Sequence, residues 1–180
     1  MEILNDFNTS VEKALSEIDE NWKGYSGLIV CGTHSPRNWE EQIKKIREAR
    51  EAGKPFLGIC FGHQLAAIEY ARNVLNKPYA TSQEFILNSV FNDAAVSITM
   101  PDVDVIVIKR KDGLKVGLHN GESYWNNYEV IEGFESIWKK ADNFITVQYH
   151  PEYQSSKSNP HRILVEFLKY AREYTRNMAV

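Results

Sequence analysis

Two cysteines in 180 residues are too few to build a disulfide-stapled scaffold. Glycine and proline are also scarce, at 10 and 6, which excludes a collagen-like or low-complexity chain. No apolar run approaches the roughly 20 residues needed to cross a bilayer. The opening Met-Glu-Ile-Leu-Asn-Asp-Phe lacks the basic-then-apolar layout of a secretory signal. The formal charge of −3, from 21 basic and 24 acidic residues, gives no basic surface for nucleic acid. There is no Gly-x-Gly-x-x-Gly and no Walker-type loop, so nothing points to ATP or a dinucleotide. His34, His63, His119 and His161 have no second His or Cys at metal-ligand spacing, and no metal or other cofactor is expected. What remains is a chain 43% hydrophobic and 25% charged, read as one soluble, cytoplasmic domain spanning residues 1–180. Neither a nucleic-acid nor a membrane partner is expected.

The apolar patterning predicts an α/β fold. Gly27-Leu-Ile-Val-Cys31 and Pro55-Phe-Leu-Gly-Ile59 are short apolar runs of the kind that form buried parallel strands. Between them a helix is expected: Ser35 or Asn38 can cap it, Pro36 suits its first turn, and Trp39, Ile43, Ile46 and Ala49 keep helical spacing up to Gly53. A second helix is expected from Phe61 to about Leu75, with Leu65, Ile68, Arg72 and Leu75 along one side. The first 26 residues leave room for one strand, about Glu2 to Leu4, and one helix, Val11 to Ile18. Val105–Ile108 and Leu114–Val116 flank Asp112-Gly113, a turn dipeptide, and predict a small antiparallel hairpin extension. Phe144 to Tyr149 reads as another strand. The segment after Pro160 reads as a helix turning Ile163, Leu164, Phe167, Leu168 and Ala171 to the core.

Chemistry concentrates at two places. Gly58-Ile-Cys60-Phe-Gly62 lies where a strand should turn into a helix, a junction that pushes its central side chain out above the sheet. The helix start favours a thiolate, and the N–H of Phe61 is a candidate oxyanion donor. His150-Pro-Glu152 ends a strand; His150 can serve as the base that a thiol nucleophile needs, with Glu152 orienting it. The plain alternatives are a buried structural cysteine, a surface histidine and a solvated carboxylate, and the joint occurrence of both motifs favours catalysis. Cys31 reads as the filler of a strand end, with a regulatory disulfide to Cys60 only weakly motivated.

With these residues in view, Leu57-Gly-Ile-Cys-Phe-Gly-His-Gln64 together with Gln148-Tyr-His-Pro-Glu152 resembles the class I, triad-type glutamine amidotransferases. Glu69-Tyr-Ala-Arg-Asn-Val-Leu75, Ser82-Gln-Glu-Phe85, Tyr128-Glu-Val130, and His150-Pro-Glu-Tyr-Gln-Ser-Ser156 followed by Asn159-Pro-His161, resemble one branch, the glutaminase domains of CTP synthases. The resemblance implies a flavodoxin-like, mostly parallel sheet flanked by helices. It implies a cytoplasmic glutaminase that cleaves the side-chain amide of glutamine, or a related γ-glutamyl amide, through a Cys60 thioester. Ammonia would pass to a synthetase partner chain, and homo-oligomer formation is left open. The oxyanion would sit between the Phe61 N–H and an N–H of the Gly32-Thr33 turn, with Gln64 and Glu84 contacting substrate. Three departures from the family pattern stand out. Thr33 replaces the second glycine of the oxyanion turn. Asn127 replaces the arginine that pairs with the substrate carboxylate, a loss of about 2 to 3 kcal/mol of binding. Ile86 to Phe91 lacks the lid's glycines. These departures keep two other readings in play, a regulatory or scaffold module on the same fold and a hydrolase of a different γ-glutamyl substrate.

Overall fold

The computed structural model describes residues 1–74, 76, 78, 80–82, 105–106 and 143–179. Its centre is a four-stranded parallel sheet in the order β1 (Glu2–Leu4), β2 (Leu28–Val30), β3 (Phe56–Ile59) and β6 (Phe144–Val147). The register sets Ile3 beside Ile29, Ile29 beside Leu57, and Leu57 beside Ile145. Alternate residues of each strand therefore point to opposite faces. Ile29, Cys31, Leu57, Ile59 and Val147 meet α1 (Asn8–Ile18) and α4 (Arg162–Met178) on one face. Leu28, Val30, Phe56 and Phe144 meet α2 (Trp39–Glu51) and α3 (Phe61–Asn73) on the other. The expected α/β architecture, with helices on both faces of a parallel sheet, is what the chain adopts. Among the described residues, no helix is long and apolar enough to cross a membrane.

The helices show where local pattern sufficed and where tertiary context took over. In α4 the buried residues are Ile163, Leu164, Phe167, Leu168 and Ala171, the set its spacing predicts. Helix α2 starts at Trp39, after Asn38 in the left-handed region at φ 50°, so Pro36 precedes the helix rather than entering its first turn. No side chain caps that end. Helix α3 is buried nearly all round, not along a single stripe. Arg72, expected on its core side, instead donates from Nε to Ala80 O at 2.8 Å and from one terminal nitrogen to both Glu40 oxygens at 2.9 Å. A guanidinium carries too many donors to be satisfied inside an apolar core, and these acceptors draw it to the edge. Two further short strands, β4 (Thr81–Ser82) and β5 (Val105–Ile106), pair in parallel. The turn and second arm of the expected hairpin, and Leu75 at the expected end of α3, lie outside the described residues.

One element end carries a titration. The Ile163 N–H donates to His161 Nδ1 at 3.3 Å, capping α4. Burial lowers the His161 pKa below 6.5, opposed only in part by Glu152. The folded state thus binds this proton less readily than the unfolded chain, so stability falls as pH drops through 6.5. The cap is lost with it, since a protonated ring has no free lone pair. Thermal unfolding of wild type between pH 7.5 and 5.5 should therefore show a steeper loss than that of His161→Asn, which caps without titrating. Parallel curves would show that the cap does not titrate in this range.

Candidate active site

All four strands of the main sheet run parallel, so their carboxyl ends lie along one edge, the usual side for a ligand in an open parallel sheet. After β1 come Asn5 to Phe7, after β2 Cys31 to Thr33, after β3 Cys60, and after β6 Gln148 to Glu152.

Cys60 occupies a turn that chain geometry makes costly. Its φ is 55° and ψ −102°, a conformation that side-chain-bearing residues rarely adopt. The surroundings hold it there. Its N–H donates to Val147 O at 2.8 Å, and its own carbonyl accepts from His63 N–H at 3.1 Å and Gln64 N–H at 3.3 Å. The flanking glycines are required by close approach. A Cβ on Gly58 would lie 2.8 Å from Gly62 O, and one on Gly62 would run into the backbone carbonyl of Val30. The strand can therefore turn into the helix within one residue only if both neighbours lack side chains.

His150 follows β6, and its Nδ1 lies 2.7 Å from Glu152 Oε1, with the carboxylate side chain 0% exposed. A carboxylate can only accept, so Nδ1 carries the hydrogen and Nε2 is the basic atom. Two aromatic rings fix the imidazole plane. Tyr153 stacks on it at 5.2 Å and 21°, and Phe7 meets it edge-on at 5.6 Å and 66°. A Cβ on Gly32 would stand 2.8 Å from His150 Cε1 and 3.4 Å from Cys60 Cβ, so the imidazole and the Cys60 side chain border the same small volume.

The β2 turn is held from beneath. Asn5 Nδ2 donates to Cys31 O at 3.0 Å, and a reciprocal amide pair with Gln42 locks Asn5, at 3.0 and 2.7 Å. In a trans peptide the N–H points opposite to the C=O, so pinning Cys31 O aims the Gly32 N–H away from Asn5. Thr33 Oγ1 donates to Asp6 Oδ2 at 2.6 Å and accepts from the Ser35 N–H at 3.0 Å. Neither Gly32 nor Thr33 has a positive φ. The turn therefore asks nothing of residue 33 that only glycine could give.

Of the residues singled out from the sequence, Cys60, Phe61, Gly32, Thr33, Gln64, His150 and Glu152 all belong to these strand ends or to the first turns of α3. Gln64 is buried. Glu84, Asn127 and the Ile86 to Phe91 stretch lie outside the described residues, as does His119. Cys31 is fully buried in the core, where desolvation, reinforced by the charges of Glu152 and Glu12, pushes its thiol well up, and neither Cys31 nor Cys60 is in a disulfide. His63 is likewise core, its Nδ1 3.1 Å from Thr146 Oγ1. Among the described residues, no three His, Cys, Asp or Glu side chains gather as a metal would require. Sequence reasoning missed Asn5, Phe7, Gln148 and Tyr153. Only Gln148 and Tyr153 carried a signal, by flanking the His-Pro-Glu motif.

The family model for glutamine amidotransferase class-I matches residues 4–170, and the chain belongs to that family. Among curated relatives, it is 31% identical over 204 residues to the CTP synthase of Pelagibacter ubique, a match covering 89% of this chain and 38% of the relative. It is 34% identical over 213 residues to CTP synthase 2 of Saccharomyces cerevisiae, covering 90% and 37%. The chain thus spans a little over a third of the length of these relatives. The glutaminase domain of Trypanosoma brucei CTPS, solved with bound acivicin, has the same fold, at TM-score 0.60 and 18% identity, covering 96% of this chain and 92% of that one.

Proposed function

We propose that this chain is a glutaminase of the CTP synthase type, releasing ammonia from the side-chain amide of glutamine for a synthetase module, with Cys60, His150 and Glu152 as its catalytic triad. The observation that carries the reading is the strained Cys60 elbow beside a buried His150–Glu152 pair at 2.7 Å. Strain of this kind costs about 1 to 3 kcal/mol and persists where a turn must present a reactive group.

In this reading His150 Nε2 takes the thiol proton and Sγ attacks the amide carbon. The oxyanion is received by the Phe61 N–H at the start of α3 and by the N–H of the Gly32-Thr33 turn. The C–N bond breaks as His150 returns its proton to nitrogen, and ammonia leaves a thioester. Water, activated by the same imidazole, then frees glutamate. Glu152 holds the tautomer throughout, while Phe7 and Tyr153 prevent the ring from swinging away. Gln64, and Glu84 for the α-ammonium group, are assigned to substrate; Asn127, uncharged, would leave the substrate carboxylate held less tightly.

The test is intact-mass spectrometry after incubation with 6-diazo-5-oxo-norleucine, an electrophilic glutamine analogue. Wild type should gain one adduct and Cys60→Ala none. An adduct that survives in Cys60→Ala would sink the assignment of the nucleophile. No wild-type adduct, with the thiol still open to a small alkylating agent, would sink glutamine as the substrate.

A further inference from the structure

Gln148 is the first residue beyond β6, and its side chain reaches the reacting atom. Its Nε2 donates to Cys60 Sγ at 3.6 Å, a distance suited to a sulfur acceptor. The other end of the same carboxamide is anomalous. Gln148 Oε1 is shut off from solvent and has no hydrogen-bond partner among the described residues. A buried carbonyl without a donor opposes folding, and such groups concentrate where function requires them.

We infer that Gln148 is a further catalytic residue, its Nε2–H holding the Cys60 sulfur as a thiolate while its Oε1 receives an N–H of the scissile carboxamide. This deepens the proposed reaction and rests on Cys60 being the nucleophile. The chemistry of both ends fits. A thiolate only accepts, so it needs a donor, and an amide N–H provides one that never titrates. A hydrogen bond to the charged form favours that form, so it draws the thiol toward ionisation. A substrate carboxamide brings two N–H donors on the nitrogen bonded to the carbon that the sulfur attacks, where a lone carbonyl can accept one. That contact aligns the C–N bond for departure. As the S–C bond forms and the C–N bond breaks, the proton needed by ammonia comes from His150, and Gln148 neither gains nor loses one. Glu152 Oε2, the other buried oxygen without a partner among the described residues, belongs to the carboxylate that already holds His150 and asks for no separate role.

Two variants of the full chain test the inference, Gln148→Glu and Gln148→Met, with far-UV circular dichroism to verify folding. Gln148→Glu keeps the shape should the methionine variant fail to fold. The first readout is the pH midpoint of Cys60 alkylation by iodoacetamide, with the labelled peptide identified by mass. The second is glutamine turnover. Both variants should raise the midpoint by about one pH unit, with Gln148→Glu moving furthest because it sets a carboxylate against the sulfur. Turnover should fall roughly tenfold in kcat, with KM little changed, because the lost contact is to the reacting atoms. A purely structural role would lower thermal stability and leave the midpoint where it was. Unchanged midpoint and kcat in both variants, with a reactive wild type, would overturn the role of Gln148 alone. A wild-type thiol that titrates like free cysteine and turns over no glutamine would overturn the nucleophile assignment and this inference together.

Discussion

Cys60→Gly should be both inactive and more stable than wild type. The loss of activity follows from the reading of Cys60 as nucleophile: without a sulfur no thioester can form, and turnover of glutamine should fall by about 10⁴-fold or more. Alanine would do the same. The gain in stability follows from the backbone. At φ 55° and ψ −102° a side-chain-bearing residue is strained, whereas glycine adopts positive φ freely. Relief of that strain should exceed the small loss from deleting one thiol, for a net gain of about 1 kcal/mol. Cys60→Ala keeps a Cβ and therefore the strain, so it should be inactive without being stabilised. The pair of variants separates the two effects. Urea or thermal unfolding measures the one, and ammonia release from glutamine the other. If the glycine variant were no more stable than the alanine variant, the elbow would store no strain. If either retained turnover, Cys60 would not be the nucleophile.

The same elbow shows what a sequence can and cannot reveal. Gly58, Cys60 and Gly62 were legible because a turn this tight excludes side chains at the two flanking positions, and glycine records that exclusion in the sequence itself. The strands around Ile29 and Leu57 were legible because a parallel strand buried on both faces must be apolar throughout. The face of α4 was legible because its five core residues keep helical spacing. By contrast, Asn5, Asp6 and Phe7 form an ordinary polar-apolar stretch, and what makes them matter is contact with residues 26 to more than 140 positions away. No local pattern encodes such a contact. Gln148 is an intermediate case: it flanks the His-Pro-Glu motif, but a glutamine after a strand has many reasons to be there, and its approach to Cys60 Sγ is what gives it a role. Arg72 misled for a related reason, since helical spacing places a residue on a face without saying whether acceptors wait at its rim.

Glu69 gives the second large effect, and it concerns the scaffold rather than the chemistry. From the sequence it was one letter of a stretch resembling CTP synthase glutaminase domains. In the fold it is a fully buried carboxylate on α3, gripped from α2 by Arg50, whose Nε donates to one oxygen at 2.9 Å and whose terminal nitrogen donates to the other at 2.7 Å. Asn73 adds a weaker bond at 3.3 Å. Hydrogen bonding to Glu69 raises the Arg50 pKa still further, so the cation is permanent. The net value of such a pair over an apolar substitute is small, because desolvating two charges consumes most of their attraction. Breaking it is another matter. Arg50→Leu leaves a buried carboxylate with only Asn73 Nδ2 beside it among the described residues, and should cost about 3 to 5 kcal/mol. For a chain of this size that is a fall of roughly 10 °C in the thermal midpoint. Because α3 carries the Cys60 elbow at its first turn, glutamine turnover should decline at temperatures well below those that inactivate wild type. The double variant Arg50→Leu with Glu69→Leu should recover most of the loss, since it removes the stranded charge along with its partner. Thermal unfolding of the two single variants and the double completes the cycle. A cost for Arg50→Leu below about 1 kcal/mol would place this pair with ordinary surface ion pairs. A double variant as unstable as Arg50→Leu would mean that the Arg50 stem, through its packing between α2 and α3, matters more than its charge.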